Sequence, residues 1–236
     1  MIARSRYGTE GKQLSKSTCT RAATLPMERK AIKGFTLIEL MVAVAIAGIL
    51  LAVGVPSFAA AVKESRISSQ YNSLVGSLYL ARSEAVKGPG QVTVCPRKNK
   101  GSEECGGKSD WENGWLVFID NTRVSGETEA KVDTADEIIQ IEPAIKGDNT
   151  IVAIGSPTNS AGDAEEVSFV RYQQRGGTQW RSASVLVCDA DRGAVSSRAI
   201  NIVLTGDIRR GRVSTGSDAP RDVFNQPISN HCPDPS

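Results

Sequence analysis

The stretch Lys33-Gly34-Phe35-Thr36-Leu37-Ile38-Glu39-Leu40 opens an apolar segment that continues without a break to Val55. Within residues 35–55 the only ionisable side chain is that of Glu39. As an α-helix this segment would be about 30 Å long, which matches the hydrocarbon core of a bilayer. We therefore predict that residues 35–55 form a membrane-spanning first half of a long N-terminal helix.

Positive charge lies immediately before the apolar segment, at Arg29, Lys30 and Lys33. Such charge holds its end of a span in the cytoplasm, so the chain after the span is expected to be exported to the periplasm. A cleavable secretory signal is the alternative, with the small residues 59–61 as its cleavage site. The distinctive residues precede the apolar run instead of following it, which argues against that alternative.

The acid inside the apolar segment is the second unusual feature. A carboxylate in a bilayer segment costs roughly 2.5–3.5 kcal/mol, so it is rare there and usually functional. The order of a basic stretch, Gly34, Phe35 and then Glu39 resembles the processing site of type IV pilins and pseudopilins. The resemblance implies a prepilin peptidase that cuts between Gly34 and Phe35 and methylates the new amino group of Phe35.

The same resemblance implies a role for Glu39 in filament assembly. Position 39 lies one helical turn from the freed amine of Phe35, on the same face of the helix. Its carboxylate would neutralise that amine, or the amine of a neighbouring subunit, because an unpaired charge is costly in hydrocarbon.

Residues 1–34 would then be a leader that is removed. Met27 offers an internal start, which shortens the leader to a basic segment from Met27 to Gly34. Residues 1–26 are polar and basic without apolar periodicity. They indicate either an over-extended gene start, which we favour, or a cytoplasmic tail.

Helical periodicity resumes after Pro56 and predicts an amphipathic second half of the helix over residues 56–87. Gly48 and Pro56 are the expected weak points, and Gly88-Pro89-Gly90 ends the helix. The positions that recur at three- and four-residue steps, apolar apart from Arg82, are Ile67, Tyr71, Leu74, Val75, Leu78, Arg82, Ala85 and Val86.

The pattern changes to short β-branched runs after Gly90, separated by Gly, Asn, Asp and Ser clusters. The predicted strands are 91–95, 114–120, 137–141, 150–154, 167–170, 184–188 and 199–204. Strands that follow one long helix predict an α+β fold, with an antiparallel sheet in a C-terminal globular domain (88–236) packed on that helix.

A second motif lies at residues 110–120, Asp-Trp-Glu-Asn-Gly-Trp-Leu-Val-Phe-Ile-Asp. It resembles the W-x-x-G-W-x-x-F-x-D signature of the FimT/FimU/GspH group of minor pilins and pseudopilins. Segments 94–96 and 186–189 are similar to that group as well. We interpret Trp111 and Trp115 as core residues, since aromatic side chains contribute most to a small core.

Four cysteines would remain after processing: Cys95, Cys105, Cys188 and Cys232. An even number in an exported domain indicates disulfides, for which three pairings exist. Proximity in sequence favours Cys95–Cys105 and Cys188–Cys232. A zinc site is disfavoured because there is no C-x-x-C and His231 is the only histidine.

The sequence carries no P-loop, nucleophile elbow, H-E-x-x-H or dinucleotide-binding glycine loop. Asp133, Asp136 and Glu137 do not match the spacing of an EF-hand calcium loop. We therefore predict that the protein is not an enzyme, has no cofactor and holds no metal.

A basic element, Arg209-Arg210-Gly211-Arg212, lies near the carboxyl end. Guanidinium groups suit phosphate backbones, and the element is similar to the G-R-x-R of FimT-type pilins used in DNA uptake, with Ser214 in place of the last arginine. The alternatives are a solvated hairpin or salt bridges to acidic loops of a neighbouring subunit.

Taken with these resemblances, the sequence predicts a minor pilin of a type IV pilus that acts in assembly priming or in the tip complex. The alternatives are a GspH-like minor pseudopilin of type II secretion and a pilus-borne DNA receptor for transformation. The implied partners are other pilins or pseudopilins, the prepilin peptidase, the inner-membrane assembly platform and, for the receptor, DNA. The implied location is the bacterial inner membrane in a single pass, and then the filament.

Overall fold

The computed structural model describes residues 34–88, 90–121, 129–156, 165–179, 182–212 and 219–232. Most of the leader, including Met27, and Ser214 of the basic element lie outside these residues. The helix is α1 (Leu37–Lys87), and 3₁₀ turns occupy Trp111–Asn113 and Ile228–Asn230. The strands are β1 (Gln91–Pro96), β2 (Trp115–Asp120), β3 (Glu137–Ile141), β4 (Thr150–Gly155), β5 (Glu165–Glu166), β6 (Val170–Tyr172), β7 (Ser182–Cys188), β8 (Arg198–Val203) and β9 (Ile208–Arg210).

The chain divides into two compact units, Met1–Leu50 and Leu51–Ser236. In the first unit every residue from 34 to 50 is exposed, including the large apolar side chains of α1. Among the described residues, α1 is the helix that is long and apolar enough to cross a membrane. Helical conformation continues through both Gly48 and Pro56, so neither position melts the helix in this structure.

The described residues of the second unit form two antiparallel sheets. The first sheet has the strand order β3-β2-β1-β6, and the second has the order β5-β4-β7-β8-β9. Every pairing between named strands is antiparallel. A register shift between Val117 and Phe118 marks a bulge where β2 pairs with β3.

One face of α1 forms the centre of this unit's core. Its buried apolar residues recur at helical spacing and pack with side chains from both sheets. This confirms the predicted α+β fold, in which a long helix packs on antiparallel β-structure. The buried apolar residues of α1 are Ile67, Leu74, Leu78, Ala81 and Ala85.

A second, smaller core covers the other face of the second sheet. It joins β4, β7 and β8 to the carboxyl-terminal tail, by which we mean residues 219–232. Successive side chains of β8 point to opposite faces of the sheet, which explains why the two cores are separate. Ile200 faces the helix side and Ala199 faces the tail side. The buried members are Ile154, Leu186, Cys188, Ala194, Ala199, Ala219, Ile228 and Cys232.

The strand predicted at 167–170 is wrong over most of its length. Residues 167–169 lie between β5 and β6 and are not a strand, although Val167 and Phe169 are buried. Their apolar side chains produce a strand-like pattern because they fill the core from an irregular segment. β9, which pairs with β8 at the edge of the second sheet, is not among the predicted strands, although a hairpin was one interpretation of the basic element.

Candidate functional site

The residues of the predicted processing site lie at the start of α1. Gly34, Phe35 and Thr36 precede the helix, and Phe35 is 83 % exposed. The hydroxyl of Thr36 accepts a hydrogen bond from the backbone N–H of Glu39 at 3.3 Å, and the Thr36 carbonyl accepts from Leu40 N–H at 3.1 Å. Thr36 is therefore the N-cap, and the Thr-x-x-Glu spacing of a capping box was a signal for it that we missed.

The tryptophan motif builds core and not a binding surface. Trp111 and Trp115 are both fully buried, and Gly114 between them has a φ of +90°. A Cβ at Gly114 would lie 2.2 Å from the carbonyl oxygen of Glu142, so only glycine fits against that segment. Our interpretation of the two tryptophans as core residues agrees with this burial.

The last residue of the motif, Asp120, belongs to a buried ion pair. Its Oδ2 lies 3.0 Å from a guanidinium nitrogen of Arg171, and both side chains are almost completely buried. Arg171 also donates to Thr93 Oγ1 at 2.8 Å and stacks 4.8 Å from the ring centre of Phe169. These contacts tie β2, β1 and β6 together, which gives Asp120 a structural role.

Arg82 is the charged exception on the apolar face of α1, and the structure explains it. Its guanidinium donates to the carbonyl oxygens of Gly176 and Thr205 and pairs with Asp207 at 2.9 Å. Gly206 lies in the turn between β8 and β9 with a φ of +77°. One arginine on the helix therefore holds two turns of the second unit (Leu51–Ser236), called the globular unit below.

An ionic cluster attaches the segment after β7 to α1. Glu64 pairs with Arg192 at 3.1 Å and also contacts Arg198, while Arg192 pairs with Asp189 at 2.6 Å. Burial raises the pKa of Glu64, but the hydrogen bonds and charges of the two arginines outweigh burial and hold that pKa below its usual value. Lys63 adds an ion pair to Asp191 at 3.2 Å.

Two disulfides are present, Cys95–Cys105 and Cys188–Cys232, which is the pairing that proximity in sequence favours. The first closes the loop that follows β1. The second links the end of β7 to the end of the carboxyl-terminal tail, inside the smaller core. The tail is thus attached to the second sheet both by apolar contacts and by a covalent bond.

The basic element lies at the edge of the second sheet, beside a cleft of 430 Å³. Arg209, Arg210 and Arg212 are exposed, and among the described residues no carboxylate forms an ion pair with any of the three. The tail contributes a fourth arginine, Arg221, which sequence reasoning missed. The residues lining this cleft, called the arginine cleft below, are Asn201, Val203, Arg209, Arg210, Arg212, Arg221, Asp222, Val223 and Asn225.

The acids considered as calcium ligands lie in the part of the chain that the structure describes. No three His, Cys, Asp or Glu residues there lie close enough together to hold an ion. The acids considered for calcium instead bond to backbone, since Asp136 accepts from the N–H groups of Asn121 and Asp133.

Comparison with known proteins gives two family matches. The sequence model described as "Type II transport protein GspH" matches residues 70–207, and the "Prokaryotic N-terminal methylation motif" matches residues 29–55. No curated protein matches the chain.

Two solved structures resemble the chain, both of the type IV minor pilin FimU from Pseudomonas aeruginosa strain PAO1. One crystal form has 17 % identity and a TM-score of 0.42, over 65 % of this chain and 96 % of that chain. The other has 18 % identity and a TM-score of 0.38, over 64 % and 98 %.

Proposed function

This chain belongs to the family of the type II transport protein GspH and carries the prokaryotic N-terminal methylation motif, and from that premise we propose that it is a minor pilin of a type IV pilus. The two family matches and the apolar helix α1 indicate a pilin or pseudopilin that is anchored by one helix. The proposal adds cleavage between Gly34 and Phe35, methylation of Phe35 and a role in pilus assembly.

The observation that carries the proposal is the apolar surface of α1 behind the methylation motif. Large apolar side chains from Leu37 to Val55 are exposed, and Glu39 is the only charged residue among them. A surface of this kind is stable only against lipid or against other apolar helices. The same segment would therefore anchor the subunit in the inner membrane and then pack among neighbouring pilin helices.

Glu39 supplies a direct test of assembly. Glu39→Val should still be inserted, cut after Gly34 and methylated, because it keeps the helix apolar and leaves the cleavage residues intact. It should enter filaments poorly, since the amine of Phe35 would lack its carboxylate partner. The measurement is the amount of subunit in sheared pili, with processing checked by intact mass. Glu84→Val, at an acid of the same helix that makes a surface pair with Lys87, is the control for loss of one acid, and normal incorporation of the Glu39 variant would contradict the role.

A type II secretion pseudopilin is the second candidate, because the matching family model is described by a type II transport protein. The two candidates differ in what a gene deletion removes. Loss of a minor pilin should reduce piliation and twitching while secretion continues, whereas loss of a pseudopilin should block secretion while pili remain. Measuring both in one deletion strain, with the complemented strain as control, distinguishes them, and an unchanged phenotype in both assays contradicts both.

DNA binding is a third candidate, supported by the arginine cleft. Three exposed arginines lie within four residues and without ion-pair partners among the described residues, which is the arrangement that phosphate backbones attract. In this function the protein would be a pilus-borne DNA receptor. Substituting Arg209, Arg210 and Arg212 together should abolish DNA uptake while pili are still made, and uptake at the wild-type level would contradict it.

A further inference from the structure

The arginine cleft is built by two separate segments of the chain. Arg209, Arg210 and Arg212 come from β9 and the residues after it, and Arg221 comes from the carboxyl-terminal tail. The two segments pair directly, since the backbone N–H of Arg221 donates to the carbonyl oxygen of Arg212 at 2.9 Å. A ligand in the cleft would therefore lie between the edge strand and the tail.

Arg209 and Arg210 leave β9 on opposite faces, because successive side chains of a strand alternate. Arg209 pairs with Asn201, whose side-chain amide donates to the carbonyl oxygen of Arg221 at 3.1 Å, so Arg209 lies on the tail side. Arg210 pairs with Ile200, which is buried in the core on the helix side. Burial raises the pKa of Tyr71 on α1, and the charge of Arg210 opposes that rise, which agrees with this placement.

Arg221 is held firmly where the cleft needs it. Its guanidinium donates to the carbonyl oxygen of Asn225 at 2.5 Å, and the next residue but one, Val223, donates its N–H to Ser184 Oγ at 2.8 Å. Ile228 and the Cys188–Cys232 bond attach the rest of the tail to the second sheet. A guanidinium fixed in advance loses little conformational entropy when it binds an anion.

The one acid in the lining, Asp222, bonds to the tail itself through one of its two carboxylate oxygens. Asp222 is 4 % exposed, and its Oδ1 accepts hydrogen bonds from the backbone N–H groups of Phe224 and Gln226. Its carboxylate therefore shapes the turn of the tail, and the four arginines leave the lining positive overall.

We propose that Arg209 and Arg221 together bind the phosphate backbone of DNA across this cleft, and that Arg210 is not part of the binding pair. The proposal rests on the DNA-binding function suggested above and adds a residue and a geometry to it. The two guanidinium groups approach one face of the edge strand from two segments, so adjacent phosphates contact both. A volume of 430 Å³ suits a short stretch of backbone, since ligand clefts range over about 300–1,000 Å³.

The test is DNA binding by the full-length, oxidised protein in a non-ionic detergent. Fluorescence anisotropy of a labelled single-stranded oligonucleotide is measured at several salt concentrations for wild type, Arg209→Gln, Arg221→Gln and Arg210→Gln. Arg175→Gln, an exposed arginine on the turn after β6, is the matched control for loss of one charge. Each of the Arg209 and Arg221 changes should weaken binding and lower the slope of log affinity against log salt by about one.

The DNA affinities of the Arg210 and Arg175 variants should stay within about twofold of the wild-type affinity. This is expected for charges that do not contact the DNA and act on it only at a distance, where salt screens them. Arg221→Lys should restore most of the salt slope because it keeps the charge. One outcome would contradict our inference: Arg221→Gln binds DNA as tightly as the Arg175 control, while Arg209→Gln binds DNA weakly. The tail would then not be part of the site, although the protein would still bind DNA. Equal losses of DNA affinity in the Arg209 and Arg210 variants would contradict the assignment of these two side chains to opposite faces of β9. A wild-type protein that binds no DNA at low salt would remove the DNA-binding function itself.

Discussion

The indole Nε1–H of Trp115 donates a hydrogen bond to Oγ of Ser77, 2.8 Å away, between β2 and α1. Ser77 is 0 % exposed and Trp115 1 % exposed, so water cannot replace either partner. Ser77→Ala removes the acceptor and leaves a buried N–H group without one. We expect the free energy of unfolding to fall by about 1–3 kcal/mol.

Urea unfolding followed by circular dichroism measures this loss. Ser69→Ala is the matched control, because Ser69 is an exposed serine on the same helix. The control should change stability by less than about 0.5 kcal/mol, as surface substitutions usually do. If the two variants are equally stable, the hydrogen bond makes no net contribution to the fold.

Among the described glycines, Gly206 is the one where an added methyl group should lower the free energy of unfolding most. Its φ is +77°, and an added Cβ would lie 1.8 Å from the carbonyl oxygen of Gly176, the same oxygen that accepts from Arg82. Gly206→Ala must therefore separate the two turns that Arg82 holds. We expect a loss of roughly 3 kcal/mol or more in the free energy of unfolding.

Gly76→Ala is the opposite case and serves as the control. Gly76 is an exposed residue inside α1, and no atom lies within 4 Å of a Cβ placed there. Alanine favours the helix by about 0.5–1 kcal/mol, so this variant should be slightly more stable than wild type. Thermal unfolding of both variants gives the comparison, and a tolerated alanine at position 206 would contradict the close approach.

The fold was largely predictable because most elements have a local pattern. The apolar positions of α1 recur with helical period, and β2, β7 and β8 are β-branched and apolar enough to be recognised without a partner. β9 has no such pattern. Its residues Ile208, Arg209 and Arg210 become a strand only because β8 presents an edge to them, which is a tertiary effect.

The candidate site was predictable only in part, for a related reason. Arg209, Arg210 and Arg212 are close in sequence, so they stand out as a cluster. Arg221 joins them through a hydrogen bond of Asn201 to its backbone and through the attachment of the tail, and neither is visible in a run of residues. The opposite faces of Arg209 and Arg210 likewise depend on knowing that β9 is a strand.

Acid should weaken the attachment of the segment after β7. The pKa of Glu64 lies below its ordinary value near 4.5 because Arg192 and Arg198 stabilise the carboxylate. Such a group contributes stability above the unfolded pKa and loses it as the pH falls through the folded pKa. The Glu64 side chain is 46 % exposed, so we expect no more than about 1 kcal/mol from it.

Wild type should therefore be more stable than Glu64→Gln at neutral pH, and the difference should shrink as the pH falls below about 4.5. Urea unfolding of both proteins between neutral and acid pH measures this difference. Glu103→Gln, at an exposed acid elsewhere in the globular unit, controls for the change in net charge. A difference that stays constant with pH would show that the ion pairs of Glu64 do not stabilise the fold.

The two disulfides should differ in what their removal does. Cys188 and Cys232 are 44 residues apart, and Cys95 and Cys105 are 10 apart. In the chain-entropy description the longer loop contributes about 4 kcal/mol and the shorter about 3 kcal/mol, so Cys188→Ala/Cys232→Ala should be less stable than Cys95→Ala/Cys105→Ala by about 1 kcal/mol. Cys188→Ala/Cys232→Ala should also let trypsin cut after Arg221, because Cys188–Cys232 is the disulfide that attaches the tail. Cys95→Ala/Cys105→Ala should leave Arg221 protected. Equal stabilities together with a protected Arg221 in both variants would mean that the smaller core holds the tail without the disulfide.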